Sequence, residues 1–299
     1  MKKVIKLLLI ALTLLLVGCS KKEKKDISIV CTSFSAYDWV SQIMIGQTTN
    51  VDIMYLLDNG VDIHSFQPSV EDIVSIKQCN LFIYIGGQSE KWIDDVLKNS
   101  KNIKTIKMMD IIEDDLFEHD HHDHEKDEHI WLSVKNAIKI VNEISKNIID
   151  IDEKNKELYK LNTNNYLKEL DDLDKNYTNA LTNATCKTVL FADRFPFIYL
   201  FNDYNLNYYA AFDGCSAETE ASIETVKILS GKVDELNLKV IMKIEGSNDK
   251  LSNRIKENSE TKDQKILTLD SLQSVKTKEN KTYLSIMNSN LETLIEATK

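Results

Sequence analysis

The chain has 299 residues, a formal net charge of −10, and a composition that is 42% hydrophobic and 28% charged. These values are typical of a soluble globular protein, with enough residues for one large domain or two lobes. The acidic balance argues against a nucleic-acid partner, which requires a basic face, and it favours the attraction of cations.

Residues 1–18 have the pattern of a secretory signal peptide. Lysines precede an apolar run at 7–17, which is shorter than the about 20 residues that a membrane-spanning helix needs. The run ends in Leu-Val-Gly-Cys at 16–19, which resembles the lipobox of bacterial lipoproteins. The resemblance implies that Cys19 carries lipid and anchors an extracytoplasmic protein to the bacterial cell membrane. Residues 19–26 then form a flexible, charged tether.

Residues 27–151 are predicted to form an N-terminal α/β lobe, because short apolar runs alternate with helical periodicity. The continuous apolar character of the runs favours parallel strands that are buried on both faces. The predicted strands are Ile27–Thr32, Val51–Leu57, Leu81–Gly86 and Ile103–Ile106.

Residues 152–183 are predicted to form one long linking helix. Apolar residues recur there at intervals of three to five positions on an otherwise polar sequence. No glycine occurs between Gln88 and Asp213, and no proline between Ser69 and Phe195. The connection is therefore expected to be rigid.

Residues 184–299 repeat the alternation and predict a C-terminal α/β lobe. The predicted fold class is α/β, with two lobes that each contain a small, mostly parallel sheet flanked by helices. Ligands bind beyond the carboxyl ends of parallel strands, so the two lobes are expected to share one cleft. The strands are predicted at Lys187–Phe191, Tyr208–Phe212, Leu238–Ile244 and Lys265–Leu269, and helices are predicted after Ser222, Asp249 and Thr282.

Five of the six histidines lie in an acidic loop at 118–129. Imidazole and carboxylate suit zinc, and dense His/Asp tracts are typical of metal binding. Residues 118–128 contain neither glycine nor proline and lack a strong apolar anchor to fix ligand geometry. We therefore interpret four members of the cluster as an accessory metal loop, namely His119, His121, His122 and His124.

Two histidines are better placed for a preformed site. His64 lies in Asp-Ile-His-Ser-Phe-Gln-Pro at 62–68, and His129 begins His-Ile-Trp-Leu-Ser at 129–133. Each is followed by bulky apolar residues that can pack and orient it, and Pro68 stiffens the first loop.

These two motifs resemble the N-lobe metal motifs of the zinc and manganese solute-binding lipoproteins of ABC importers. The resemblance implies that His64 and His129 bind the metal, and that the acidic His-rich loop before the second motif marks the zinc branch. Leu-Thr-Leu-Asp-Ser-Leu at 267–272 is similar to the last motif of the family, which implies Asp270 as a further ligand. The resemblance also implies two lobes joined by a long backbone helix.

The chain departs from this family at Ala192, where a histidine or glutamate usually ends the first strand of the C-terminal lobe. Asp193 is the nearest replacement, although it could instead orient Arg194. The other possible fourth ligands are Cys215, Glu218, Glu220 and water, and the two glutamates could instead be helix N-terminal charges.

The resulting functional hypothesis is a monomeric, non-enzymatic binding protein that captures zinc and delivers it to the permease of an ABC importer. Manganese is less suited, because it prefers sites rich in carboxylates. The alternatives are a surface metal buffer or adhesin, and a zinc-dependent hydrolase. The sequence contains no His-Glu-x-x-His helix motif that would favour the hydrolase.

Overall fold

The computed structural model describes residues 25–98, 100, 103–117, 126–212, 214 and 221–299. The predicted signal peptide and most of the tether, including Cys19, lie outside these residues. So do the accessory loop histidines and the possible ligands Cys215, Glu218 and Glu220. In the described part of the chain, no helix has both the length and the apolar character needed to cross a membrane.

The described strands form two parallel sheets, one in each lobe, and the eight predicted strands are confirmed with small shifts at their ends. Both sheets have the same arrangement, β2-β1-β3-β4 in the first and β6-β5-β7-β8 in the second. The strands are Ile27–Cys31 (β1), Val51–Tyr55 (β2), Leu81–Tyr84 (β3), Lys104–Lys107 (β4), Thr188–Arg194 (β5), Asn207–Phe212 (β6), Val240–Ile244 (β7) and Lys265–Leu269 (β8).

Five of the ten described helices begin after a serine or threonine whose side-chain oxygen accepts a hydrogen bond from one of the first free N–H groups. Ser69 and Thr282 each form a capping box with the residue three positions later. The helices are Phe34–Ile43 (α1), Val70–Gln78 (α2), Trp92–Leu97 (α3), Met108–Ile111 (α4), Val134–Ile151 (α5), Lys156–Thr182 (α6), Ile198–Asp203 (α7), Ile223–Glu235 (α8), Lys250–Asn258 (α9) and Tyr283–Ala297 (α10).

The linking helix α6 is 27 residues long and begins slightly later than the predicted segment. Asp152 ends α5, and its Oδ2 accepts hydrogen bonds from Tyr159 Oη at 2.6 Å and from Thr49 Oγ1 and Asn155 Nδ2 at 2.8 Å each. These contacts fix a short turn between α5 and α6, so that the two helices pack against each other as separate elements.

The two lobes share one hydrophobic core along the side formed by α6. This helix packs against α1 and α5 of the first lobe and against α10, the last helix of the chain. Asp38 of α1 accepts hydrogen bonds from Tyr166 Oη of α6 at 3.3 Å and from Tyr283 N of α10 at 3.0 Å. The shared core therefore holds the two lobes together on the side of α6, while the loops at the strand ends remain available for a site.

Candidate metal centre

His64 lies on a single 3-10 turn, Ile63–Ser65, between β2 and α2. Asp62 caps the turn, since its Oδ1 accepts a hydrogen bond from His64 N at 3.0 Å. Ile63 and Phe66 are buried and anchor the turn on both sides of the histidine. Nδ1 of His64 lies 2.6 Å from Ser89 Oγ. If Nδ1–H donates to this hydroxyl, Nε2 keeps a free lone pair for a metal ion.

His129 follows the His-rich loop and is completely buried. Oδ1 of the buried Asp127 accepts hydrogen bonds from His129 N at 2.8 Å and from His129 Nδ1 at 3.0 Å. The imidazole and the indole of Trp131 form a T-shaped pair, with ring centroids 5.3 Å apart. A carboxylate that accepts from Nδ1 fixes the tautomer in which Nε2 carries the lone pair, which is the usual arrangement behind a metal-binding histidine.

The two imidazoles face each other, and their Nε2 atoms are 3.3 Å apart. A tetrahedral zinc ion with Zn–N bonds of about 2.05 Å requires two ligand nitrogens to lie about 3.3 Å from each other. The pair therefore has the spacing of two neighbouring ligands of one zinc ion.

The pKa of His64 is lowered to about 4. Burial is the largest cause, and the charges of His129 and Arg194 lower it further, while Asp62 and Asp127 act in the opposite direction. His64 is therefore neutral near pH 7, which is the form that binds metal ions.

Two acidic side chains accept hydrogen bonds from the backbone of residues 86–89, the segment that carries Ser89. Glu128 Oε1 accepts a hydrogen bond from Ser89 N at 2.8 Å, and this places the serine beside His64. Gly87 makes the close approach possible, because a Cβ at this position would lie 2.3 Å from Glu128 Cγ. Glu90 accepts a hydrogen bond from Gly86 N at 2.7 Å, and burial raises the pKa of its carboxyl group to about 7.

Asp270 follows β8 on the C-terminal lobe. Its Oδ1 accepts a hydrogen bond from Leu272 N at 2.8 Å, and its Oδ2 lies 4.0 Å from Lys281 Nζ. Leu272 is buried with a φ of 61°, a left-handed conformation that is rare for leucine. Such strain persists only where the surroundings impose it, and it is concentrated at ligand-binding sites.

Glu245, at the end of β7, is a second acidic residue beside Asp270. Its carboxylate accepts hydrogen bonds from Ser271 N at 2.8 Å and Ser271 Oγ at 2.6 Å. Burial, followed by the charge of Asp270, raises the pKa of Glu245 to about 7, and burial also raises the pKa of Asp270. A cation bound nearby would favour the charged forms of both groups. No motif in the sequence singles out Glu245, although an acid directly after a parallel strand is a usable indication of a ligand site.

One hydrogen bond joins the segments that carry His129 and Asp270. The indole Nε1–H of Trp131 donates to the carbonyl oxygen of Ser271 at 2.9 Å. Tyr283 Oη donates in turn to the carbonyl oxygen of Trp131 at 2.9 Å. The Asp270 loop is thereby held against the turn that follows His129.

Asp193 is directed into its own lobe. Its carboxylate accepts hydrogen bonds from Arg194 N at 3.0 Å and from Ile244 N of β7 at 3.3 Å. The neighbouring Arg194 forms an ion pair with Asp62 of the other lobe. Among the described residues, no group of three or more His, Cys, Asp or Glu residues is arranged to hold a metal ion. The structure thus brings His64 and His129 together, but it brings neither Asp193 nor Asp270 into one group with them.

Two α/β lobes whose strand-end loops present paired imidazoles on one side and paired carboxylates on the other define a cleft-type binding protein. The chain matches the family model of ZnuA, described as zinc-uptake complex component A, periplasmic, over residues 29–297. The chain therefore belongs to this family.

Individual relatives extend the comparison. The chain is 31% identical over 312 residues to the zinc-binding lipoprotein AdcA of Streptococcus pneumoniae, and the match covers 100% of this chain and 61% of AdcA. The chain thus spans about three fifths of the length of that curated relative. The crystal structure of the Zn(II)-bound ZnuA-like domain of S. pneumoniae AdcA has a TM-score of 0.75 at 28% identity, covering 91% of this chain and 98% of the domain.

The fold is also similar to that of the laminin-binding protein Lmb of Streptococcus agalactiae. The TM-score is 0.76 at 26% identity, with 91% of this chain and 100% of Lmb covered. Lmb is described as a bifunctional protein with adhesin and metal-transporting activity.

Proposed function

We propose that this protein is an extracytoplasmic solute-binding protein that captures zinc in the cleft between its lobes and delivers it to an ABC importer. The observation that carries the proposal is the His64–His129 pair, whose Nε2 atoms are spaced for a single zinc ion. Membership of the zinc-uptake family and the zinc-binding names of the relatives support it.

The proposed ligands are His64, His129 and Asp270, with one further position filled by a residue or water. Asp193, Cys215, Glu218 and Glu220 stay open for that position, and a thiolate would strengthen the preference for zinc. Because Asp270 does not group with the histidines in the described residues, we propose that zinc draws its loop toward the pair. The raised pKa values of Asp270 and Glu245 favour such a movement, since a cation relieves the cost of burying two acids.

The proposal requires no chemistry on the metal. Zinc is favoured over manganese because the two oriented ligands are imidazoles.

The histidines at 119–124 would raise the local zinc concentration at the cleft, and lipid on Cys19 would keep the monomeric protein beside the permease. Labelling of cells with a radioactive fatty acid tests the anchor, because label should enter the wild-type protein and not the Cys19→Ala variant.

The capture site is tested by zinc content and competitive chelator titration of the mature chain without lipid. A His64→Ala/His129→Ala double variant is compared with a variant that lacks residues 119–124. One tightly bound zinc that is lost only from the double variant is the expected result. Tight binding that survives in the double variant and disappears with the loop would refute the cleft site and favour a metal buffer.

A second candidate function is adhesion, which the similarity to Lmb favours. Binding of the purified protein to immobilised laminin, measured with and without zinc, tests it. Poor growth of a deletion strain under zinc starvation would support the importer role in either case. Zinc-dependent turnover of an ester or peptide panel would instead support an enzyme.

A further inference from the structure

The chain contains two arginines, Arg194 and Arg254, and all its other basic residues apart from histidine are lysines. Arg254 lies exposed on α9. Arg194 is the last residue of β5, and its Nη2 donates to Oδ2 of Asp62 across the cleft. The side chains are 27% and 18% exposed, so the pair is partly shielded from water. The planar guanidinium fork holds a carboxylate in a more defined geometry than an ammonium group does.

The end of β5 is built so that Arg194 reaches the other lobe. Phe191 pairs with Ala210, but Arg194 pairs with Phe212, so β5 contains one extra residue relative to β6. Such a bulge redirects the side chains that follow it. Asp193 lies in the bulge, and its carboxylate ties the strand end to β7 through Ile244 N.

The residue after Arg194 fixes the strand end from the other side. The ring of Phe195 is buried and stacks on Tyr208 of β6, with centroids 3.5 Å apart. Arg194 therefore extends from a rigid support, although the side chain itself crosses to the opposite lobe.

Asp62 carries this contact directly to a proposed ligand. While its Oδ2 accepts from Arg194, its Oδ1 accepts from His64 N at 3.0 Å and caps the turn. The same loop is held at a second point, because Asp58 accepts hydrogen bonds from Thr277 N and Thr277 Oγ1 at 2.6 Å each. The turn that orients His64 is thus attached to the C-terminal lobe by two acids.

We propose that Arg194 is a positioning residue for metal capture, which holds the His64 turn against the C-terminal lobe through Asp62. The inference rests on the proposed function and explains how β5 contributes to the site although Ala192 offers no ligand. A guanidinium is always charged and cannot coordinate zinc, so Arg194 acts only through Asp62. Its loss should accelerate zinc release, because loss of a partly buried partner mainly affects dissociation.

The test compares five variants of the full mature chain. Arg194→Gln removes the charge, and Arg194→Lys keeps it without the fork. Asp62→Asn keeps an oxygen that can accept from His64 N but removes the ion pair, and it is also combined with Arg194→Gln. Arg254→Gln is the matched control at the exposed arginine. The zinc dissociation rate is measured by transfer to excess chelator, and thermal unfolding of the metal-free protein is measured in parallel.

Dissociation about tenfold faster is expected for Arg194→Gln and for Asp62→Asn, and the double variant should be no faster than either, because residues in one network are not additive. Arg194→Lys should release zinc more slowly than Arg194→Gln, because it keeps the charge, and Arg254→Gln should match the wild type.

Unchanged dissociation, or a change only in thermal unfolding, would overturn the inference. Arg194→Lys keeps the test decisive if Arg194→Gln does not fold. A wild type that binds no zinc would overturn the proposed function and the inference with it, whereas tight wild-type binding with unaffected variants overturns only the inference.

Discussion

The two halves of the candidate centre differ in how completely they are assembled. On the N-terminal lobe, His64 and His129 are oriented by Ser89 and Asp127, and their Nε2 atoms are already spaced for a metal ion. On the C-terminal lobe, Asp270 lies on a strained loop and is 4.0 Å from a lysine ammonium group. The imidazole half is therefore preorganised for a metal ion, whereas Asp270 is not grouped with the two histidines in the described residues.

The chemistry of the ligands explains this difference. Neutral imidazoles can be buried side by side without a counterion, and the low pKa of His64 keeps its ring in that form. Burial raises the pKa values of both Glu245 and Asp270, and the charge of Asp270 raises the pKa of Glu245 further. Buried acids are costly in their charged forms unless their charge is compensated, so a bound cation would stabilise the charged forms of both groups.

The largest expected effect separates the two lobes directly. His129→Ala should weaken zinc affinity by about a hundredfold or more, since loss of an outer-shell partner alone costs about 10- to 100-fold. Asp270→Ala should weaken it by about tenfold to a hundredfold, with Asp270→Asn as the control that keeps an acceptor for Leu272 N. Competitive chelator titration measures both. A greater loss at Asp270 than at His129 would reverse the assignment of the preorganised half.

An intermediate effect is expected where the halves are joined. Trp131→Phe removes the hydrogen bond to Ser271, which should lower the free energy of unfolding by about 1 kcal/mol and weaken zinc affinity by several fold. Trp39→Phe is the matched control, because the buried indole N–H of Trp39 has no hydrogen-bond partner in the described structure. Equal zinc affinities of the two variants would show that the Trp131 link does not position Asp270.

The smallest effect on zinc affinity is expected at Glu90, whose carboxylate accepts a hydrogen bond from Gly86 N. Its pKa rises from 4.5 to about 7 in the folded protein. The folded state therefore binds more protons than the unfolded state in this range, and the free energy of unfolding falls as pH rises from 4.5 to 7. Glu90→Gln should remove this part of the pH dependence, so that the variant gains stability relative to the wild type toward pH 8.

Chemical denaturation of the metal-free protein between pH 5 and pH 8 measures the effect at Glu90. Glu157→Gln serves as the control, because the Glu157 side chain is 84% exposed. Parallel pH profiles of the wild type and Glu90→Gln would contradict the raised pKa.

Much of the fold could be predicted because its strands and helices are encoded by local sequence patterns. Continuous apolar runs marked the strands of both sheets, and Ser222, Asp249 and Thr282 marked the starts of α8, α9 and α10. The turn between α5 and α6 was not predicted, because it depends on contacts of Asp152 with Thr49, which is distant in sequence.

The candidate site was predictable to a lesser degree. His64 and His129 were singled out by their flanking apolar residues, and the structure brings the two rings together. Glu245 and Ser89 were missed, since neither belongs to a motif and each acts through partners from other segments. Asp193 and Asp270 stay predictions as ligands, because their distances from the histidines depend on the arrangement of the lobes.

The sequence by itself determined the α/β lobes and the long helix that joins them, and it singled out His64 and His129, because periodicity and residue chemistry are local properties of the chain. Only the tertiary structure decided that the Asp193 carboxylate faces into its own lobe, that Arg194 reaches Asp62, and that Trp131 holds Ser271. These contacts join residues about 50 to 140 positions apart in sequence. Such pairings are fixed by the shared core and the register of the strands, and no local pattern encodes them.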